Sequence, residues 1–208
     1  FLHHYKERGA AFALLYPFRA QFYSRMGFGF GTKMNKYEIE PRALPEIKKT
    51  GKLRFLDDDD IEKIWRCYNR AFRRTNGLLE KGKHEIAGLF KRKGMRIVGY
   101  VEEKKVLGYL IFTFKKCQSD NSLVLDVKEF IYQTPNVLKE LLAFLRSQSD
   151  QVERIIIQTQ DEEFHHLLDD PRNCSKNRVF PDCHESNTSG VGIMYRFLNF
   201  KSQKLWSG

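Results

Sequence analysis

Tyr23 stands in the stretch RAQFYSRMGFGFG, Arg19 to Gly31. A phenol with an ordinary pKa of about 10 is protonated at neutral pH. It can serve as a general acid toward a departing thiolate, whose conjugate acid has a pKa of about 8.5. Phe18, Phe22 and Phe28 surround Tyr23 in the sequence. The residues alone therefore leave two readings, a packed aromatic or a proton donor, and they favour the first. Gly27, Gly29 and Gly31 follow at alternate positions. A dinucleotide-binding loop needs a strand before its glycines and a helix after them. Here a helix precedes and a strand follows, so the glycines read as turn residues.

Two further groups have the residue types for metal chemistry. Cys174, Cys183 and His184, with His165 and His166 nearby, contain zinc-ligand types but no paired C-x-x-C, so no metal is expected. Neither His165 nor His166 has a nucleophile partner in the sequence, and both read as surface histidines. The run Asp57 to Asp60 could attract a hard cation, but four consecutive carboxylates do not face one point on a helix. They suit the positive end of a helix dipole and can cap it.

The elements that must hold these residues follow from periodicity and punctuation. Phe1 to Arg8 reads as the end of a helix stopped by Gly9. Ala10 to Pro17, AAFALLYP, reads as a buried strand, and Ala20 to Met26 as a short helix ended by Gly27. Thr32 to Glu40 alternates as a strand and stops at Pro41. Residues 1–40 are too few to bury a core of their own and look like the tail of a domain. Pro41 to Lys52, with two prolines and a basic run, reads as a linker.

A second unit begins with a strand at Leu53. Behind the aspartates, Ile61, Ile64, Trp65, Tyr68 and Phe72 repeat at helical spacing. Met95 to Phe114 reads as two strands joined by a charged EEKK turn, and Ser122 to Gln133 as a third strand. Thr134 then offers an N-cap and Pro135 a first helical position for the amphipathic NVLKELLAFLRSQ. Gln151 to Gln160 is a fourth strand, parallel to the third because a helix lies between them. A short helix ends at Pro171, an irregular polar stretch covers Arg172 to Gly190, and Gly192 to Asn199 is a last strand. The fold class is α+β, a central mixed sheet flanked by helices.

Composition sets the limits. A chain of 208 residues holds one large domain, or one domain plus pieces of others, and 41% hydrophobic with 13% aromatic residues is a globular composition. No apolar run nears the roughly 20 residues that span a bilayer, so no membrane is expected. No signal peptide is visible, although the chain begins at Phe1 rather than methionine. Four scattered cysteines fit a reducing cytoplasm better than a disulfide framework. The net charge of +10 raises nucleic acid as a partner. Lys and Arg are spread through KERG, EIKKTGK, FKRKG, EEKK and FKKC, mostly at turns and helix ends, so solvated faces are the better reading.

Taken together, these segments resemble a known family. ALLYPFRAQFYSRMGFGFG is similar to the strand and helix that end a GNAT-fold acetyltransferase domain, in its Eis-like subgroup. LVLDVKEFIYQTPNVLKELLAFLRSQSDQVERIIIQT followed by LLDDPR resembles the second, acetyltransferase-like domain of that subgroup. GIMYRFLN resembles the strand entering its sterol-carrier-like domain. The likeness covers essentially the whole chain. It implies an internal fragment: 1–40 the end of the first, catalytic GNAT domain, 41–52 a linker, 53–175 a degenerate second GNAT-like domain, and 176–208 a connector with the first strand toward the sterol-carrier-like domain.

The resemblance implies an acyl-CoA N-acyltransferase fold and transfer of acetyl from acetyl-CoA to an amine, an aminoglycoside-like polyamine or a lysine. It puts Tyr23 at the general acid and Phe18 and Phe22 beside the pantetheine arm. It also implies assembly as a hexamer. GNAT enzymes hold the acetyl-CoA pyrophosphate on a glycine-containing loop at a helix N-terminus. The matching junction here, FIYQTPNVLKEL, has no glycine and no arginine in the loop, and Pro135 removes an amide donor. The second domain therefore reads as catalytically silent and this chain alone as inactive. The alternative, from another class, is a non-catalytic basic scaffold or nucleic-acid-binding module.

Overall fold

A computed structural model of the chain describes residues 1–48, 50–75, 78–117 and 121–199. In chain order its elements begin with α1 (Leu2–Glu7), β1 (Phe12–Leu15), α2 (Ala20–Arg25), β2 (Gly29–Phe30), β3 (Lys33–Ile39), β4 (Leu53–Phe55), α3 (Ile61–Phe72) and α4 (Lys83–Phe90). They continue with β5 (Arg96–Glu102), β6 (Lys105–Lys116), β7 (Leu123–Tyr132), α5 (Pro135–Arg146) and β8 (Arg154–Thr159). The last are β9 (Arg178–Phe180), β10 (Cys183–His184), β11 (Thr188–Val191) and β12 (Met194–Phe197). They form two compact units, 1–34 with the described residues from 189 onward, and Asn35–Thr188.

The second unit is built on a mixed sheet in the order β3-β8-β7-β6-β5-β4. Every pairing among β3 to β8 is antiparallel except β7 with β8, the pair joined through α5. The pleat of β6 decides where the helices go. Its Leu110 and Phe112 belong to one buried cluster, shared with Leu138, Leu141 and Leu145 of α5. Its Tyr109 and Ile111 belong to another, shared with Ile64, Cys67 and Tyr68 of α3 and Ile86 of α4. The α5 residues recur at three and four, as do those of α3, so each helix lays one apolar stripe on the sheet. Glu103 and Lys104 both take positive φ, +47° and +60°, the tight β5–β6 connection whose twist matches that of the flanking strands.

The aspartate run has a structural use. Asp57 accepts from the Asp59 amide at 3.1 Å and caps the short turn that leads into α3. Asp60 is buried and receives both arms of the Arg54 guanidinium, at 2.7 and 2.8 Å, and the Lys63 ammonium at 2.7 Å. This fork ties β4 to the start of α3.

Several expectations change in detail. The strand at Phe12–Leu15 is not buried, and Leu14 is exposed. Pro41, Ala43 and Leu44, in the stretch read as a linker, are buried, and Ala43 and Leu44 belong to the α5-side core. Residues 172–190 are not irregular throughout, since β9 and β10 pair there as a hairpin and β11 begins at Thr188. The helix α4 carries few periodic apolar residues and has no counterpart in the sequence reading. In the first unit β12 lies between β1 and β2, antiparallel to both, where the resemblance has it leading toward a further domain.

Two checks follow. A Cβ at Gly108 would lie 2.8 Å from the Ile131 carbonyl oxygen and strike Val137 of α5. Gly108→Ala should therefore lower unfolding stability by about 1–3 kcal/mol in urea titrations. Gly88 of α4 has open space, so Gly88→Ala should raise stability by up to about 1 kcal/mol. Asp60 supplies the second check. Hydrogen bonds from Arg54 hold its carboxyl well below the usual range, against the opposing effect of burial. The folded value lies below the unfolded value of about 3.9, so this contribution is complete above about pH 5 and is lost as pH falls. Asp60→Asn should reduce stability at pH 7 by about 1–3 kcal/mol and flatten the acid limb of stability against pH.

Candidate active site

In the first unit α2 carries Tyr23, and its ending is written in the sequence. Gly27 takes φ +81°, its amide donates to the Ser24 carbonyl at 2.9 Å, and the Phe28 amide donates to the Tyr23 carbonyl at 3.1 Å. This pair of bonds closes a helix whose next residue is left-handed, and it brings the sixth side chain against the first. Phe28 accordingly meets Tyr23 edge to face, ring centroids 5.9 Å apart. Phe18 and Phe22 lie 5.5 and 5.2 Å from the same ring. The three candidate residues are thus gathered in one cluster. Phe28 is its buried floor, Tyr23 is half-buried, and Phe18 and Phe22 are 83% and 50% exposed. Gly27 thus serves the turn and Gly31 packs under the Tyr195 ring where any side chain would collide, while Gly29 falls in β2 with open space around it.

In the second unit the parallel pairing of β7 and β8 covers only Val124 to Asp126 against Arg154 to Ile156. Beyond it β7 stays with β6 as far as Tyr132 pairing Gly108, while β8 stays with β3 as far as Thr159 pairing Asn35. The two strands part, and a bulge at Lys128, where Ile111 pairs Glu129 and Phe112 pairs Val127, turns β7 at the same level. The N-terminus of α5 follows the open end of β7. Several of its amides are engaged. Thr134 Oγ1 accepts from the Val137 amide at 3.3 Å, the Leu138 amide donates to the Thr134 carbonyl at 3.1 Å, the Gln133 amide donates to Leu107 at 3.1 Å, and Pro135 has none. Val137 fills the space beside Gly108.

On the α3 side of the same strand lies a polar cluster that pattern reasoning passes over. Glu129 accepts from the Tyr109 hydroxyl on one oxygen and from the Lys81 ammonium on the other. The Tyr68 hydroxyl donates to the Leu79 carbonyl at 2.5 Å, the Trp65 indole donates to the Lys81 carbonyl at 2.9 Å, and the Lys81 ammonium sits 4.4 Å above the Tyr68 ring. The buried Cys67 thiol accepts from Gln133 Nε2 at 3.4 Å. Burial pushes the Tyr68 phenol up to about 12 and the Cys67 thiol up to about 11. Both groups stay protonated at neutral pH. With both oxygens of Glu129 occupied, the cluster straps 79–82 across β7. The one signal in the sequence is a carboxylate at Glu129, just before the apolar Phe130 and Ile131 late in a strand.

The remaining candidates do not converge. His165 Nδ1 is 3.0 Å from the Glu162 carbonyl and His166 is 3.0 Å from Glu163 on an exposed turn. Cys183 is exposed and Cys174 half-buried. Among the described residues no three His, Cys, Asp or Glu side chains are placed to hold a metal ion, and no helix is long and apolar enough to cross a membrane.

The model of the acetyltransferase (GNAT) domain family matches residues 63–188. The chain belongs to this family. The match lies wholly within the second unit, so Phe18, Phe22 and Tyr23 fall outside it. Among solved structures the chain is similar to a GCN5-related N-acetyltransferase from Anabaena variabilis ATCC 29413, with a TM-score of 0.73 and 15% identity over 95% of this chain and 48% of that one. It is also similar to a GCN5-related N-acetyltransferase from Kribbella flavida, with a TM-score of 0.69 and 17% identity over 94% and 45%. Eis1 from Mycobacterium abscessus gives a TM-score of 0.68 and 19% identity over 95% and 50%. At these identities the likeness shows the fold, a GNAT fold of mixed sheet and flanking helices. The chain spans about half the length of these proteins. No curated protein matches it.

The cluster around Cys67 predicts an order of thiol reactivity. With a pKa near 11, Cys67 holds at least about a hundredfold less thiolate than an ordinary cysteine at pH 8, and it is enclosed. Alkylation of the native chain by iodoacetamide should label Cys183 first and Cys67 only after urea unfolding, as read by peptide mass spectrometry.

Proposed function

We propose that this chain is part of an acetyl-CoA-dependent N-acetyltransferase of the Eis-like kind, with its two units playing different roles. The first unit supplies Tyr23 as the general acid and Phe18 and Phe22 as apolar surface for the pantetheine arm. The second unit keeps the family fold and is catalytically silent. The observation that carries the reading is the state of the α5 N-terminus. In a GNAT domain that helix end is where amide donors meet a pyrophosphate. Here Thr134, Leu107 and the helix itself take the amides of Gln133, Val137 and Leu138, and Pro135 offers none. An anion would find little to bind, so the cofactor belongs elsewhere in the longer protein.

Acetyl transfer to an amine requires a polarised carbonyl, a deprotonated amine and a proton for the leaving thiolate. A phenol of pKa about 10 giving its proton to a thiolate of about 8.5 works uphill by roughly 2 kcal/mol in water. The donor therefore has to be positioned on the sulfur, so that transfer accompanies bond breaking. α2, closed by Gly27 and backed by Phe28, provides such a support for Tyr23. The acceptor is an amine of the aminoglycoside or lysine type, the protein acts in the cytoplasm, and it assembles as a hexamer. These finer assignments rest on the likeness to Eis.

Two measurements test the reading. Acetyl-CoA should bind the longer protein and not this 208-residue chain in calorimetry. Binding by the 208-residue chain alone would make the second unit live and overturn its silence. Tyr23→Phe in the longer protein should lower turnover by about 10²- to 10⁴-fold with little change in unfolding midpoint. Full activity in that variant would remove Tyr23 from the mechanism.

A further inference from the structure

Several basic residues of the second unit pair with carboxylates, among them Arg54 with Asp60 and Lys115 with Asp126. One groove, of about 1060 Å³, interleaves Arg42, Arg154, Arg172, Lys176 and Arg178 with Glu40, Asp150, Glu153 and Asp170, so its charges are nearly balanced. One smaller place is different. Lys63, Arg66 and Arg70 lie three and four residues apart, on one face of α3. They share a cavity of about 270 Å³ with Lys104 and Lys105 of the β5–β6 turn, with Val106 and with one carboxylate, Glu62, which is taken up by Arg66 and Lys83.

Two of the five cations are matched, Lys63 by Asp60 at 2.7 Å and Arg66 by Glu62 at 2.8 Å. Arg70 donates one amino group to the Val106 carbonyl at 2.8 Å and also hydrogen-bonds the Cys67 thiol, which fixes its guanidinium beside the hairpin. Among the described residues Arg70, Lys104 and Lys105 have no carboxylate partner. Like charges three and four apart on a helix repel, and the strained left-handed conformation of Lys104 holds a further cation beside them. Such an arrangement is favoured when an anion fills it.

We propose that this cavity binds a small, multiply charged, phosphate-bearing anion. The geometry suits that chemistry. Arg70 offers the guanidinium donors that Val106 and Cys67 leave, and the two lysines offer point charges, a combination that grips phosphate oxygens. The volume is at the low end of small-ligand pockets, so the anion is compact. The site lies between α3 and the β5–β6 turn and uses none of the residues assigned to acetyl transfer.

The test is calorimetry of inorganic pyrophosphate with the 208-residue chain at low salt. Saturable binding that weakens as salt rises is expected. Lys104→Glu with Lys105→Glu should weaken it by about tenfold or more, as the loss of charge-assisted hydrogen bonds implies. Because both residues are exposed at a turn, the fold should survive, and Arg66→Gln on α3 provides an independent variant from the opposite wall. A control reversal at Lys91 and Lys93, in another basic run, should leave binding unchanged. Absence of saturable binding, or equal loss in the control, overturns the proposal. Binding of a short DNA duplex that pyrophosphate does not displace would overturn it as well, and would assign the surface to nucleic acid.

Discussion

The parallel pairing of β7 and β8 lasts for three residues, and the arrangement of the second unit depends on where it stops. Two parallel neighbours cannot be joined by a tight turn, so the chain between them has to cross a sheet face. α5 makes that crossing, and its buried leucines supply the core on one side. Past Asp126 and Ile156 each strand continues with a different neighbour, which leaves an opening beside the start of α5. Asp126 itself is buried at this fork. Burial opposes its charge, but hydrogen bonds from Lys115 and Lys128 outweigh it and hold its carboxyl below the usual range. The point where the strands part is thus anchored by ion pairs.

A splayed parallel pair with a helix N-terminus at its open end is an arrangement able to bind an anion. Whether it does so depends on a few atoms. Thr134 as a cap and Pro135 at the first helical position are good helix-starting chemistry, and that same chemistry consumes or removes the donors an anion needs. Val137 packs against Gly108 and closes the space behind them. The junction therefore favours the stability of α5 over binding. On the opposite face Glu129 is held by Tyr109 and Lys81, which turns a carboxylate in the sheet into a fastening for the segment that follows α3.

The first unit shows the reverse balance. Its aromatic cluster is well ordered by the closing bonds of α2, yet Phe18 and Phe22 stay open to solvent. An uncovered apolar surface on a capped helix is what a binding element needs, and it distinguishes this cluster from the closed core of the second unit.

Much of this was legible from residue types and spacing. The alternation of β3 and β7, the amphipathic spacing of α5, the Thr134-Pro135 start and the EEKK turn are local signals, and local steric and hydrogen-bonding preferences decide such elements. The stop at Gly27 and the contact of Tyr23 with Phe28 also follow from a six-residue pattern. Tertiary structure decided the rest. Burial of Ala43 and Leu44 requires the α5-side core to cover a proline-rich stretch whose composition reads as linker. The place of β12 between β1 and β2 depends on pairing across more than 160 residues of chain, which no local pattern encodes. The fastening of Glu129 and the gathering of Arg70 with Lys104 and Lys105 join side chains from separate elements. Sequence set which residues were charged, apolar or kinked. Which of them met was decided when long-range strand pairing brought distant elements within bonding distance.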